Sequence, residues 1–406
     1  MNPRLRFKRE DGTDYPDWEE KKLGEVLTQR RDIQTISEKA PLLAFTIEDG
    51  VIDPKDKKTN KRDFLIKDKE NKKFQLTKYD DIIYNPANIK FGAIHRNKFG
   101  EGVVSPIYVI LKTNQNPSFV EYSLKRESFI SKTKKYLEGT VEKLRTLKSE
   151  NFLSLSVFLP CLEEQEKIGS FLSDIDEVIL ASDQEVKKLQ ELKKGAMQKI
   201  FSQEVRFKRD DGTYYPDWEE KKLIDIFNIR NGYTPSKQEE SYWKGNTIIP
   251  WLRLEDIREN GRILKDSIQH VTPSAVKGEL FKKNSIIIST TATIGEHALI
   301  EVDFLANQQF TILTLKNEFK EKFLHKFIFY HTYKLSNYSK NNIKSGGFHA
   351  VEMSKFKEFI FSIPCLEEQQ KIGDFLSDFD EAISLAKQEL EKWKLLKKGL
   401  LQQMFT

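Results

Sequence analysis

Arg6 to Leu23 reads RFKREDGTDYPDWEEKKL, and Arg206 to Leu223 reads RFKRDDGTYYPDWEEKKL, with sixteen of eighteen positions identical. A second duplicated stretch lies downstream of each. It is PCLEEQEKIGSFLSDIDE over Pro160 to Glu177 and PCLEEQQKIGDFLSDFDE over Pro364 to Glu381, identical at fifteen of eighteen. Offsets of 200 and 204 residues make the chain two copies of one module, each ordered as box, variable body and second box with helix. The bodies, 28–159 and 228–363, share no comparable identity. Drift after a duplication erodes boxes and bodies together. Like frames around unlike bodies therefore point to a common partner for the frames and different targets for the bodies.

After each Pro-Cys-Leu the pattern turns helical, with Glu and Gln in the first turn, where the helix dipole favours carboxylates. Ile168, Leu172, Ile175, Ile179, Ser182, Val186, Leu189, Lys193, Ala196 and Ile200 follow the alternating 4-3 spacing of a coiled-coil seam. Ile372, Leu376, Phe379, Ile383, Ala386, Leu390, Trp393, Lys397, Leu400 and Met404 repeat it. Each helix is expected to run some 35–40 residues, about 55 Å at 1.5 Å per residue. A lysine in each seam and the pair Gly169 and Gly373 interrupt the pattern. Residues 163–183 hold seven acids against Lys167, and 185–199 hold five lysines against Glu185 and Glu191; the second helix repeats the gradient. Only antiparallel packing sets each acidic half against a basic half, so an antiparallel pair is predicted.

A chain of 406 residues is long enough for two or three domains at roughly 100–200 residues each. No uncharged run exceeds twelve residues, against the roughly 20 a membrane helix needs, and charged residues fill the start of the chain. A cytoplasmic protein with no membrane partner is expected. Two cysteines, Cys161 and Cys365, cannot make a disulfide framework or a structural zinc site, and the six histidines form no metal-binding pair. The helices sum to −3 over 163–201 and −2 over 367–405, so the net charge of +5 leaves +10 on the remainder. Basic bodies on an acidic strut read as polyanion binders.

In the first body, Lys55 to Lys73 is lysine-rich but interleaved with acids and reads as a solvated loop. The more pointed stretch runs from Tyr84, Asn85, Asn88 and Lys90 to Arg96, Asn97 and Lys98, with no acid between Asp81 and Glu101. Asn and Arg have the geometry to read adenine and guanine edges, while Lys holds phosphates. Val103 to Leu111 then reads as one buried strand. In the second body, Asn231, Tyr233, Thr234 and Lys237 precede Trp243, Trp251 and Arg253. Ser285 to Gly295 reads as a strand ending in the hydroxyl cluster Thr290, Thr291 and Thr293. Tyr338 to Phe348, with Lys340, Asn341 and Lys344, is a basic loop without acids. These residues are the candidate DNA contacts.

Catalytic motifs come close without forming. Pro16-Asp17 followed by Glu19-Glu20-Lys21 has nuclease-like residue types, but the acids are adjacent in a box expected to open a helix, not on converging strands. Asn85-Pro86-Ala87 lacks the second proline and aromatic of an amino-methyltransferase loop, Phe99-Gly100-Glu101-Gly102 is not an S-adenosylmethionine turn, and no phosphate loop exists. No catalytic residue, cofactor site or metal site is expected in this chain.

The boxes, the Leu-Glu-Glu-Gln helices ending in Leu-Lys-Lys-Gly (Leu192 to Gly195, Leu396 to Gly399) and the unlike bodies resemble the specificity subunit of type I restriction-modification systems over the whole chain. The resemblance implies an α+β chain with two globular target-recognition domains in pseudo-two-fold arrangement, separated by two long antiparallel coiled-coil helices. It divides the sequence into 1–160, 161–205, 206–363 and 364–406. It implies a non-catalytic subunit that reads an asymmetric bipartite site in double-stranded DNA, one half per domain, with the helices setting the spacing. By the same resemblance the helices dock two methyltransferase subunits, nuclease-translocase subunits join the full complex, and S-adenosylmethionine, ATP and Mg2+ belong to those partners. A scaffold that binds other proteins and a stand-alone nuclease or methyltransferase are the competing classes.

Overall fold

The computed structural model describes residues 3–57, 72–139, 145–344 and 349–405. It divides into two compact units, Met1–Gln184 with Lys387–Thr406, and Glu185–Ala386. The four sequence segments follow chain order, whereas the compact units cut through both long helices. The physical reason is that each helix ends inside the other copy's body. Met404 and Phe405 belong to the core of the first unit, and Met197, Ile200 and Phe201 to the core of the second.

Both predicted helices are continuous, Leu162–Phe201 and Leu366–Phe405, 40 residues each. Every seam position named above is buried or half-buried. In the first unit Trp18 meets both Glu164 and Phe405, while further along Asp176 meets Lys397. One helix thus ascends in number as the other descends. In the second unit Trp218 bonds Glu368 and its ring meets Phe327, which touches Phe201; Lys193 reaches Asp380 at 2.5 Å. The pairing is antiparallel in both, as the charge gradients require. Among the described residues, no helix is long and apolar enough to cross a membrane.

In the first copy, box strand Glu19–Lys22 pairs antiparallel with Ser156–Leu159, the strand that leads into the long helix. Glu219–Lys222 and Ile360–Ile363 repeat this in the second. The box was expected to open a helix. Glu19 and Glu20 instead lie on this strand, on opposite faces by its two-residue period, and the helical turn begins only at Leu23.

The unlike bodies share one sheet. In the first unit the antiparallel order is Leu27–Gln29, Val109–Thr113, Ile82–Tyr84, Ile94–Arg96. In the second it is Phe227–Asn231, Phe310–Leu315, Ser285–Ser289, His297–Ile300, with Ile263–Leu264 added parallel at the edge. A helix then packs on each: Pro117–Lys125 and His325–Asn341. The single strand expected over Val103 to Leu111 is two, Gly102–Val104 and Val109–Thr113, in different sheets. Pro106 lies in the turn between them, where it cannot donate to a ladder. Ser285 to Gly295 is strand only to Ser289.

Candidate nucleic-acid interface

The frame that holds the bodies comes first. Arg6 donates from Nε and Nη2 to the fully buried carboxylate of Glu164, and Trp18 Nε1 donates to the same group at 3.2 Å. Arg206, Trp218 and Glu368 repeat the arrangement. The next residue, Gln165, spans the gap to the body: Nε2 donates to Pro160 O and Gln115 Oε1, and Oε1 accepts from Asn116 N. Gln369 does the same with Pro364 O, Lys322 O and Leu324 N. The Glu-Gln pair expected to serve the helix dipole is thus a buried connector between box, helix and body. A third repeated element, Tyr122–Asp176–Lys397 and Tyr330–Asp380–Lys193, ties each body to both long helices.

On the second unit's frame sits a cleft of about 610 Å³ lined by Thr234, Lys237, Trp243, Trp251, Arg253 and Gln308 among others. It forms because two chain segments touch at backbone level. A Cβ on Gly232 would lie 2.2 Å from Asn307 O, so only glycine lets the 232–237 turn cross there. Tyr233 N then donates to Ala306 O, and Thr234 Oγ1 donates to Gln308 Oε1 at 2.5 Å. The Arg253 guanidinium lies 5.6 Å over the Trp251 ring, whose edge contact with Trp243 is 5.0 Å between centroids. Amides from Gln269, Asn307, Gln308 and Gln309 join them in the wall. Side-chain amides beside an arginine fork offer paired donors and acceptors of the kind that base edges match.

Three expected contacts, Thr234, Lys237 and Arg253, are therefore brought together. Others are not. Thr290 is buried, its hydroxyl paired with Thr311, which also donates to Asn231 Oδ1. The Tyr233 hydroxyl donates to Ala275 O and accepts from Lys277 N, so it closes a loop. Thr291 and Thr293 are half-buried in a turn around Ala292 and Gly295, both at positive φ. Lys340, Asn341 and Lys344 are exposed but do not line this cleft. Asn307, Gln308 and Gln309 were missed; the signal was an amide triplet in a stretch with no acid between Asp303 and Glu318.

In the first unit, Asn85 and Asn88 line a cleft of about 450 Å³ with Thr46, Glu48, Asp49 and Lys57. Two further expectations there are corrected by burial. Tyr84 is fully buried, stacked on Phe152 with its hydroxyl donating to Leu147 O. Asn97 is fully buried and saturated: Nδ2 donates to Thr77 and Gly100, and Oδ1 accepts from Phe99 N and Gly100 N. Arg96 is mostly buried and pairs with Asp80 at 3.1 Å. Lys90 sits over the exposed ring of Phe91, and Lys98 is half exposed near Glu121. His95 is neutral: Nε2 meets Ile47 O, Lys125 faces Nδ1, and burial lowers its pKa to about 4. Lys58, Lys61, Arg62, Lys67 and Lys69, and Ser345 to Phe348, lie outside the described residues.

The long helices also repeat their exposed apolar residues. Leu162, Phe171 and Leu192 are exposed, and so are their counterparts Leu366, Phe375 and Leu396. Leu162 and Phe171, nine residues apart, lie on opposite sides of their helix, as do Leu366 and Phe375, and each phenylalanine packs edge-on against Phe7 or Phe207 of its box.

Residues 215–394 match the family described as type I restriction modification DNA specificity domain. The chain is 50% identical over 150 residues to the type I restriction enzyme EcoprrI specificity subunit of Escherichia coli, a match covering 37% of each. It is 32% identical over 196 residues to the MjaIX specificity subunit of Methanocaldococcus jannaschii, covering 47% of this chain and 44% of that one. These matches thus span less than half of either relative. Its fold is similar to the crystal structure of a type I restriction-modification S subunit from M. genitalium, with a TM-score of 0.57 at 15% identity, covering 100% of this chain and 99% of that one.

Proposed function

We propose that this chain is a type I restriction-modification specificity subunit, the non-catalytic DNA-reading subunit of such a complex, a reading supported by the match of residues 215–394 to that DNA specificity domain. Each unit reads one half of an asymmetric bipartite site in double-stranded DNA. The observation that carries this reading is that two frames with the same buried bonds present unlike clefts. Identical clefts would read identical half-sites.

In the second unit, Arg253 and the amides of Gln308 and Gln309 face base edges, and Lys237 and the exposed Lys340 and Lys344 face phosphates. In the first, Asn85 and Asn88 face bases, and Lys90 and Lys98 the backbone. The long helices dock two methyltransferase subunits, one per copy, and their pairing sets the gap between half-sites. Nuclease-translocase subunits join through that assembly. S-adenosylmethionine, ATP and Mg2+ act on the partner subunits. The place of action is the cytoplasm, where chromosomal and incoming DNA meet the complex.

The deciding experiment replaces residues 228–363 with the body of another specificity subunit and maps methylated bases in cells that carry the partner. One half-site changes and the other is retained; alteration of both rejects the reading. A protein-binding scaffold is separated by salt. Phosphate neutralisation makes log affinity fall linearly with log salt, by about 0.9 per phosphate contacted on duplex DNA.

A further inference from the structure

In the first unit the helix Pro117–Lys125 and the C-terminal part of the second long helix border a cleft of about 530 Å³. Six cationic side chains line it: Lys98, Lys125, Arg126, Lys394, Lys397 and Lys398. Only three carboxylates, Glu121, Glu127 and Asp176, share the wall. Asp176 is already committed to Lys397 and Tyr122. Glu121, 3% exposed, lies 3.4 Å from Lys98, 3.7 Å from Arg96 and 3.9 Å from Lys125. One buried carboxylate is therefore divided among three cations. Burial lowers the pKa of Lys125 despite the pull of Glu121, and that of Arg126 as well. Lys98, Lys125, Lys394 and Lys398 are exposed, so their ammonium groups stand at the open side of the cleft, within reach of an anion in solution.

The frame does not require all of this charge: Arg126, Lys397 and Lys398 have the counterparts Lys334, Lys193 and Lys194 in the second unit, but Lys125 and Lys394 have no cationic counterpart. There Tyr330–Asp380–Lys193 matches Tyr122–Asp176–Lys397, and Lys334 donates to Phe201 O as Arg126 donates to Phe405 O. With those contacts in register, Phe329 stands at the place of Glu121, Tyr333 at that of Lys125 and Gln190 at that of Lys394. Lys125 and Lys394 are thus cations that the first unit adds to the shared joint.

We propose that this cleft binds a phosphate-bearing small molecule of the nucleoside polyphosphate class. Several ammonium groups spread over one concave wall match a multiply charged phosphate chain better than a single carboxylate, and lysine binds phosphate as a point charge. The volume is within the range of small-molecule sites, and Leu401 supplies an apolar patch for a base. Lys394 exchanges its exposed pair with Glu391, 2.7 Å away, at little cost. The cleft shares Lys98 with the backbone contacts proposed above, so its test rests on Lys394 and Lys398, which have no part in that reading.

The test is calorimetric titration of the full chain at physiological salt with ATP and, separately, with sodium tripolyphosphate. Saturable one-to-one binding of ATP is expected, weakened at least tenfold in Lys394→Gln/Lys398→Gln with an unchanged circular dichroism spectrum. Lys194→Gln, which changes the counterpart of Lys398 in the second unit, binds as the natural chain does. Should the double variant lose its fold, Lys394→Gln on the exposed helix face carries the same expectation at about threefold. Absence of saturable ATP binding overturns the proposal, as does equal weakening by Lys194→Gln. Binding of tripolyphosphate without ATP overturns the nucleoside assignment. Displacement of ATP by a short duplex, together with a tenfold loss of duplex binding in the double variant, assigns the cleft to the DNA interface instead.

Discussion

Arg6 reaches Glu164, 158 residues further along the chain, with two hydrogen bonds of 3.0 and 2.7 Å, and the carboxylate it holds is fully buried. Arg6 also donates to the carbonyls of Tyr15 and Pro16, so one guanidinium pins the box to itself and to the helix start. Arg206 does the same for Glu368, Tyr215 and Pro216. The near-identity of the boxes follows from this joint: each residue of it satisfies a buried group that a neighbour leaves open.

Arg6→Ala is therefore expected to lose about 2–4 kcal/mol of stability in urea unfolding, because it strands a buried carboxylate with Trp18 as its remaining donor. Arg6→Lys keeps the charge but not the fork and loses about 1–2 kcal/mol. An Arg6→Ala chain within about 0.5 kcal/mol of the natural one would show that the joint is ornamental.

The repeat, the helices and their antiparallel sense were legible because they rest on local periodicity and on charge spaced along single segments. What was illegible depends on distant partners. Glu164 and Glu368 look like ordinary first-turn acids until an arginine and a tryptophan from the box arrive. Lys193 and Lys397 look like flaws in a seam until an aspartate on the facing helix is seen to take each one. In the site, Tyr84 and Asn97 carried the right chemistry for reading DNA, yet burial turned both inward; sequence alone cannot tell a polar side chain that binds a partner from one that closes its own turn. The shared sheet order of the bodies was equally hidden, since strand pairing constrains residue pattern and leaves residue identity free.

The seam lysines carry a prediction of their own. Lys397 bonds Asp176 and lies 5.1 Å over the Tyr122 ring, and Lys193 sits likewise on Tyr330. A double-mutant cycle of Lys397→Met and Asp176→Asn is expected to give a coupling of about 1–2 kcal/mol, since the pair is half-buried. Additive single effects would mean that the lysine contributes only its methylene stem.

Gly169 and Gly373 occupy equivalent places but not equivalent space. A Cβ on Gly169 would lie 2.5 Å from Asn116 Oδ1 and 3.1 Å from Phe119 N, whereas on Gly373 the nearest atom is Lys326 Cβ at 3.4 Å. Gly373→Ala is expected to be neutral or to gain up to about 1 kcal/mol from helix propensity. Gly169→Ala should lose about 1–3 kcal/mol by forcing two helices apart. Melting temperatures of the two variants should move in opposite directions or differ by several degrees; equal shifts would remove the asymmetry.

His331 sets an acid limit on the second unit. Its ring is fully buried among Phe201, Phe327 and Phe361, and neither nitrogen has a hydrogen-bond partner among the described residues. Burial first, and then the Lys334 charge, hold its pKa well below the ordinary 6.5. The unfolded chain therefore takes up a proton as pH falls below about 6.5 while the folded chain does not, so stability is retained above that pH and declines beneath it. His297, lowered to about 4 by burial, adds to the same slope. His331→Leu should remove one proton's share, up to about 1.4 kcal/mol per pH unit, between pH 6.5 and 5. Urea midpoints measured from pH 5 to 8 decide it: parallel curves for the variant and the natural chain would clear His331 of any role in acid sensitivity.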